Sequence, residues 1–352
     1  MEQKEITKTR LIIYVLMAYG LTYLMGILMW YGSTRGYDLT VFPTAQMMYP
    51  AAGVIIGLFL AHKGEKILPA GFFITVLATT GVLIVLALLS VFLPVNDLNI
   101  AGMTMSVYNL ISQYILIIGS IVALVFLAVA GNEKRAATGL TRQNWKSAVL
   151  IVLLFVGIYI VRSVVSMAGQ GVSGGGMQHV KEWAAMFKNP MMWLNIAALP
   201  INYFFVFIAF FGEEYGWRYY LQPVLQKRFG LRAGVIILGV VWGLWHIPDD
   251  LFYYTQTSGI QMIFAQQITC ISLGIFFAYA YMKTQNIWVP VCLHYLNNNL
   301  IPIISGTFSA DVLENQTVSW KDLPVALVLN GLCFGFFLLA DVFKKKEVQE
   351  EE

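Results

Sequence analysis

Long apolar runs broken by short polar connections organise this chain from end to end. Ten stretches, near residues 11–31, 44–61, 68–93, 107–130, 147–168, 197–222, 233–248, 260–282, 287–304 and 323–343, approach the length a spanning helix needs, roughly 20 mostly apolar residues. The seventh and ninth are short, and both contain histidine. The pattern predicts an all-α fold: a polytopic transmembrane helix bundle of about ten spans.

Composition sharpens this reading. Hydrophobic residues make up 58% of the 352 positions and charged residues only 12%, where a soluble domain carries about 25% charged residues. That excludes a water-soluble globule. The net charge of +3 says little until its distribution is followed. With the N-terminus inside, alternating loops place 17 of the 22 Lys and Arg residues on the inner side, including Lys8, Arg10, Lys63, Arg135, Lys227, Arg228 and Lys344. Four fall outside (Arg35, Lys181, Lys188, Lys321), and Arg162 lies within a span, where snorkelling to the outer interface is expected. The positive-inside rule thus predicts both termini inside. The first apolar run exceeds a signal-peptide core and lacks a clear small-residue cleavage site, so it is expected to be a retained span.

No soluble appended domain and no internal repeat is evident. The expected organisation is 1–194 as N-terminal spans of unassigned role, 195–304 as a core, 305–343 as the last span and 344–352 as a disordered tail. A Gly-rich outer connection runs from Gly169 to Gly176. Cys270, Cys292 and Cys333 all sit in apolar stretches, which suits packing rather than a disulfide framework.

Ionisable groups inside spans are costly and mark functional candidates. Three clusters stand out: Glu213-Glu214-xxx-Arg218, Trp242-xxx-His246 and His294-xxx-Asn298. Four-residue spacing places Glu214 and Arg218 on one helix face as a pair. Glu213, turned about 100° away, faces another helix and suits a general base. Counting about 1.5 Å per residue from Pro223, Arg232 and Lys283 puts Glu213, His246 and His294 roughly 15, 21 and 16 Å from the inner surface. That agrees with a site reached from the inner side. Each element also has a plainer reading, an interhelical hydrogen bond for a lone histidine and a structural ion pair for Glu214 and Arg218. Asp249 and Asp250, after Pro248, read as solvated or capping residues at an outer helix end.

On these motifs the chain resembles the CPBP family, which includes intramembrane CAAX prenyl endopeptidases, bacteriocin-processing and immunity proteins, and relatives labelled Abi. The family pattern is EExxxR, then an aromatic-xxx-His motif, then HxxxN or HxxxD; here Trp242 stands where Phe is usual. The resemblance implies an intramembrane endopeptidase in which Glu213 activates a water, His246 helps hold it, and His294 and Asn298 stabilise the oxyanion. Glu214, Arg218 and Trp242 would support them. It implies a metal-independent, glutamate-dependent mechanism for some members, so no cofactor is expected; if zinc is used, Glu213, His246 and His294 offer a His₂Glu set. Expected partners are the lipid bilayer and a peptide or membrane-protein substrate, not nucleic acid, with the protein multi-pass in the cell membrane. A non-catalytic scaffold or immunity protein binding a peptide in the same cavity is the alternative, and a proton-coupled transporter a third.

Overall fold

A computed structural model describes residues 2–100, 103–169, 176–306 and 314–344. Residues 345–352 of the expected tail and most of the Gly-rich connection lie outside them. The architecture is a helical bundle. Its first half comprises α1 (Glu2–Val15), a π-helical segment Leu16–Gly20, α2 (Leu21–Ser33), α3 (Val41–Gln46), α4 (Tyr49–Ala61) and α5 (Ala70–Phe92). A two-stranded antiparallel hairpin, β1 (Leu98–Ile100) with β2 (Met103–Met105), precedes α6 (Val107–Val129). Then come α7 (Asn132–Ala137), α8 (Trp145–Gly169), α9 (Gly176–Met186) and α10 (Pro190–Glu214), which runs into a second π-helix at Tyr215–Leu221. The remainder is α11 (Gln222–Phe229), α12 (Leu231–Trp245), α13 (Ile247–Phe252), α14 (Gly259–Thr284), α15 (Trp288–Ser305) and α16 (Asp322–Cys333).

Among the described residues, eight helical segments are long and apolar enough to cross a membrane; they match the first eight expected stretches. The protein is therefore a multi-pass membrane protein. Large apolar side chains point outward along these helices, as lipid contact requires: Leu24, Ile27 and Trp30 on α2, and Leu150, Leu153 and Val161 on α8.

The last two expected spans differ. The ninth forms α15, an 18-residue helix made more polar by His294 and three consecutive asparagines. It tolerates them by packing between α8, α10 and α14 rather than against lipid. The tenth is broken: α16 has 12 residues, about 18 Å of rise, and gives way to a short 3₁₀ turn at Gly335–Leu339. Glycines flank this break at 331 and 335. Arg162 does not simply snorkel. Its Nη1 donates to Asn330 Oδ1 on α16 at 2.8 Å, and its guanidinium covers the Tyr159 ring.

Close helix approach around the core depends on glycines four residues apart, which let backbones meet where lipid supplies no hydrophobic drive. A Cβ on Gly212 would lie 2.4 Å from the Met47 carbonyl oxygen, and one on Gly216 would lie 2.3 Å from Pro50 Cβ. On α12, a Cβ on Gly239 would meet the Ile271 backbone at 2.6 Å. Gly212→Ala is therefore expected to cost about 1–3 kcal/mol through overpacking. Gly157→Ala, with nothing within 4 Å of the added carbon, should be neutral or slightly stabilising. Thermal unfolding of both variants in detergent checks the contrast.

Candidate active site

α10 is apolar until its last turn, where both Glu213 and Glu214 are buried. The helix then widens into its π-segment, a local irregularity often found at functional sites. Arg218 lies in that segment, fully buried, and its Nε donates to Glu214 Oε2 at 2.8 Å. The guanidinium also lies over the Trp242 and Phe277 rings, 4.9 and 5.5 Å from their centroids, so a desolvated cation has aromatic faces as well as a carboxylate.

Glu214 has a second partner. Its Oε1 accepts from His294 Nδ1 at 2.9 Å, a contact that ties α10 to α15 and that helical spacing alone does not reveal. The other ring nitrogen, Nε2, is 3.9 Å from Glu213 Oε1. His294 thus sits between two carboxylates. Glu213 Oε2 accepts from Trp242 Nε1 at 2.8 Å, with Trp217 Nε1 3.4 Å away. The indole at position 242 supplies a hydrogen bond that a phenylalanine there could not.

His246 stands where α12 ends and α13 begins, and the end of α12 leaves carbonyls without intrahelical donors. Each finds a partner. The Trp242 carbonyl accepts from His246 Nδ1 at 2.9 Å and the Gly243 carbonyl from the His246 backbone N–H. The Leu244 carbonyl accepts from Tyr23 and the Trp245 carbonyl from Gln46. The N-terminal spans therefore help hold this break together. A carbonyl only accepts, so His246 Nδ1 carries the proton, and a neutral ring presents Nε2 as an acceptor.

Glu213, Trp242, His246, His294 and Asn298 line one cavity of about 280 Å³. Glu214 and Arg218 do not line it; they lie behind it. Asn298 is placed beside Asn297, whose Nδ2 donates to its Oδ1 at 3.0 Å. The cavity's partly exposed rim includes Thr40, Asn109, Gln113 and Glu314. Beneath Glu213 the buried rings of Trp217, Trp245 and Tyr14 pack edge to face. These positions differ from the expected approach from the inner side. The rim is built from ends of helices that the charge pattern assigns outside, and aromatic packing fills the opposite direction.

Asp249 and Asp250 are likewise not solvated. α13 continues the seventh span past Pro248, which leaves them 2% and 0% exposed, and Asp249 lines the cavity. The signal was present, an acidic pair inside an apolar run, but Pro248 reads locally as a helix end. Cys270 also lines the cavity; the three cysteines are free. Among the described residues no group of three His, Cys, Asp or Glu side chains has ligand spacing.

Comparison with known proteins meets the same region. Residues 194–300 match the family of type II CAAX prenyl endopeptidase Rce1-like proteins. The CAAX prenyl protease 2 of Methanococcus maripaludis is 27% identical over 125 residues, covering 33% of this chain and 45% of the relative. The chain therefore spans under half the length of that curated relative. No solved structure matches. The matched segment contains all seven motif residues, and over it the chain is similar to the Rce1-like type II CAAX prenyl endopeptidases.

Proposed function

We propose that the protein is an intramembrane endopeptidase that hydrolyses a peptide bond of a membrane-associated protein or peptide at this cavity. The observation that carries the reading is the meeting of Glu213 and His294 within 3.9 Å at the buried end of a cavity that His246 and Asn298 also line. Three helices supply these groups, and neither composition nor lipid packing requires them there.

In this mechanism a water held between Glu213 and the His246 Nε2 acceptor gives its proton to the Glu213 carboxylate. The oxygen attacks the carbonyl carbon. His294 donates to the developing oxyanion from Nε2, which requires an imidazolium because Nδ1–H is given to Glu214. Asn298 Nδ2 is the second donor, since its Oδ1 already accepts from Asn297. Donors set before charge develops are a large catalytic contribution. Glu213 then returns its proton to the leaving amine as the C–N bond breaks, leaving a carboxylic acid and an amine. Trp242 orients the base. If both termini lie inside, as the charge pattern predicts, the substrate enters from the outer side of the membrane.

Liposomes containing the purified protein, supplied with membrane peptides in H₂¹⁸O, test the reading. The expected result is new carboxyl termini carrying one ¹⁸O. A binding scaffold produces none. Because no step uses a metal, turnover is expected to stay within about twofold after exhaustive chelation; loss of activity restored by zinc would overturn that part of the mechanism.

A further inference from the structure

The titratable lining of the cavity is one-sided in charge. Among the described residues its lining holds three acidic residues, Glu213, Asp249 and Glu314, and no Lys or Arg. Glu213 has its two indoles and His294, and Glu314 Oε1 accepts from the Tyr253 hydroxyl. Asp249 differs: its side chain is buried and its Oδ1 has no hydrogen-bond partner. A buried carboxylate oxygen without a donor is costly. A cation brought by the substrate would remove that cost, and would do so in a low-dielectric setting where a charge-assisted bond is strong.

We infer that Asp249 is a specificity-determining residue that receives a lysine or arginine side chain lying near the scissile bond. This rests on the peptidase reading but adds the chemistry of the substrate: a basic peptide segment. The same acidic lining disfavours a substrate that inserts a free terminal carboxylate beside Glu213. Asp250 makes a useful contrast, being fully buried, with both oxygens unpartnered, yet absent from the cavity wall.

The test uses capped decapeptide pools that each contain one fixed Lys, norleucine or Glu among otherwise neutral randomised positions. Binding to the full-length Glu213→Gln variant is measured alongside cleavage by the wild-type protein in liposomes. The lysine pool is expected to bind, and to be cut, at least tenfold better than the norleucine pool, and the Glu pool worst. In Asp249→Asn the lysine preference should fall below about threefold, whereas Asp250→Asn should keep it. Equal binding of the lysine and norleucine pools would overturn the inference, as would a preference that survives in Asp249→Asn. If Asp249→Asn does not fold, Asp249→Glu decides: it should keep a lysine preference, and loss or reversal of that preference counts against the assignment. A lysine preference in binding without any cleavage would sink the peptidase reading while leaving the recognition role standing.

Discussion

Glu213→Gln is expected to lower the rate of peptide-bond cleavage by roughly 10²–10⁴-fold, the range for removing a positioned general base, with little change in thermal stability. The amide is nearly isosteric and keeps an oxygen that can accept from Trp242 Nε1, which now donates at 2.8 Å. It cannot take a proton from water. Binding of substrate should therefore survive while the chemical step is lost, so kcat falls and KM changes little. The measurement compares new peptide termini formed by wild-type and variant protein in the same liposomes, alongside their unfolding curves. Turnover near the wild-type rate would show that Glu213 is not the base, however well placed it is.

Arg218→Met is expected to have the largest effect on stability, a loss of about 3–5 kcal/mol, because it removes the guanidinium from a fully buried carboxylate. Two further consequences separate packing from chemistry. The double variant Glu214→Gln with Arg218→Met leaves no unpaired charge in that pair, so it should recover most of the lost stability. Activity should not recover. Glu214 also holds His294 Nδ1 at 2.9 Å, and an amide cannot support an imidazolium as a carboxylate does. Denaturant unfolding of both variants, with turnover on one substrate, checks this. A double variant no more stable than Arg218→Met alone would show that the guanidinium acts through its contacts with Trp242 and Phe277 instead.

The division of labour between Glu213 and Glu214 was partly visible in the spacing. Four residues along a helix bring Glu214 to Arg218 whatever surrounds them, and a one-residue offset turns Glu213 elsewhere. Depth counting brought Glu213, His246 and His294 to a similar level because helical rise is uniform. It could not say which way the site opens. Asp249 shows the same limit: a proline after His246 resembles a helix end in sequence, but Pro is tolerated in a first turn, and α13 carries the span onward through Phe252. The broken tenth span is a related case, since hydropathy averages over glycines that interrupt the helix.

Sequence alone determined that this chain is a membrane-embedded helical bundle and which seven residues form its motifs. Both follow from composition and from spacing along single helices, which are local properties. Tertiary structure decided that His294 lies between two carboxylates, that Trp242 holds the free one and that Asp249 lines the cavity. It also decided that Tyr23 and Gln46 complete the break after α12, and that the cavity opens away from the positively charged ends. Each of these depends on contacts between helices far apart in the chain, such as Gln46 with Trp245 or Glu214 with His294, and no periodicity along one helix encodes its neighbour.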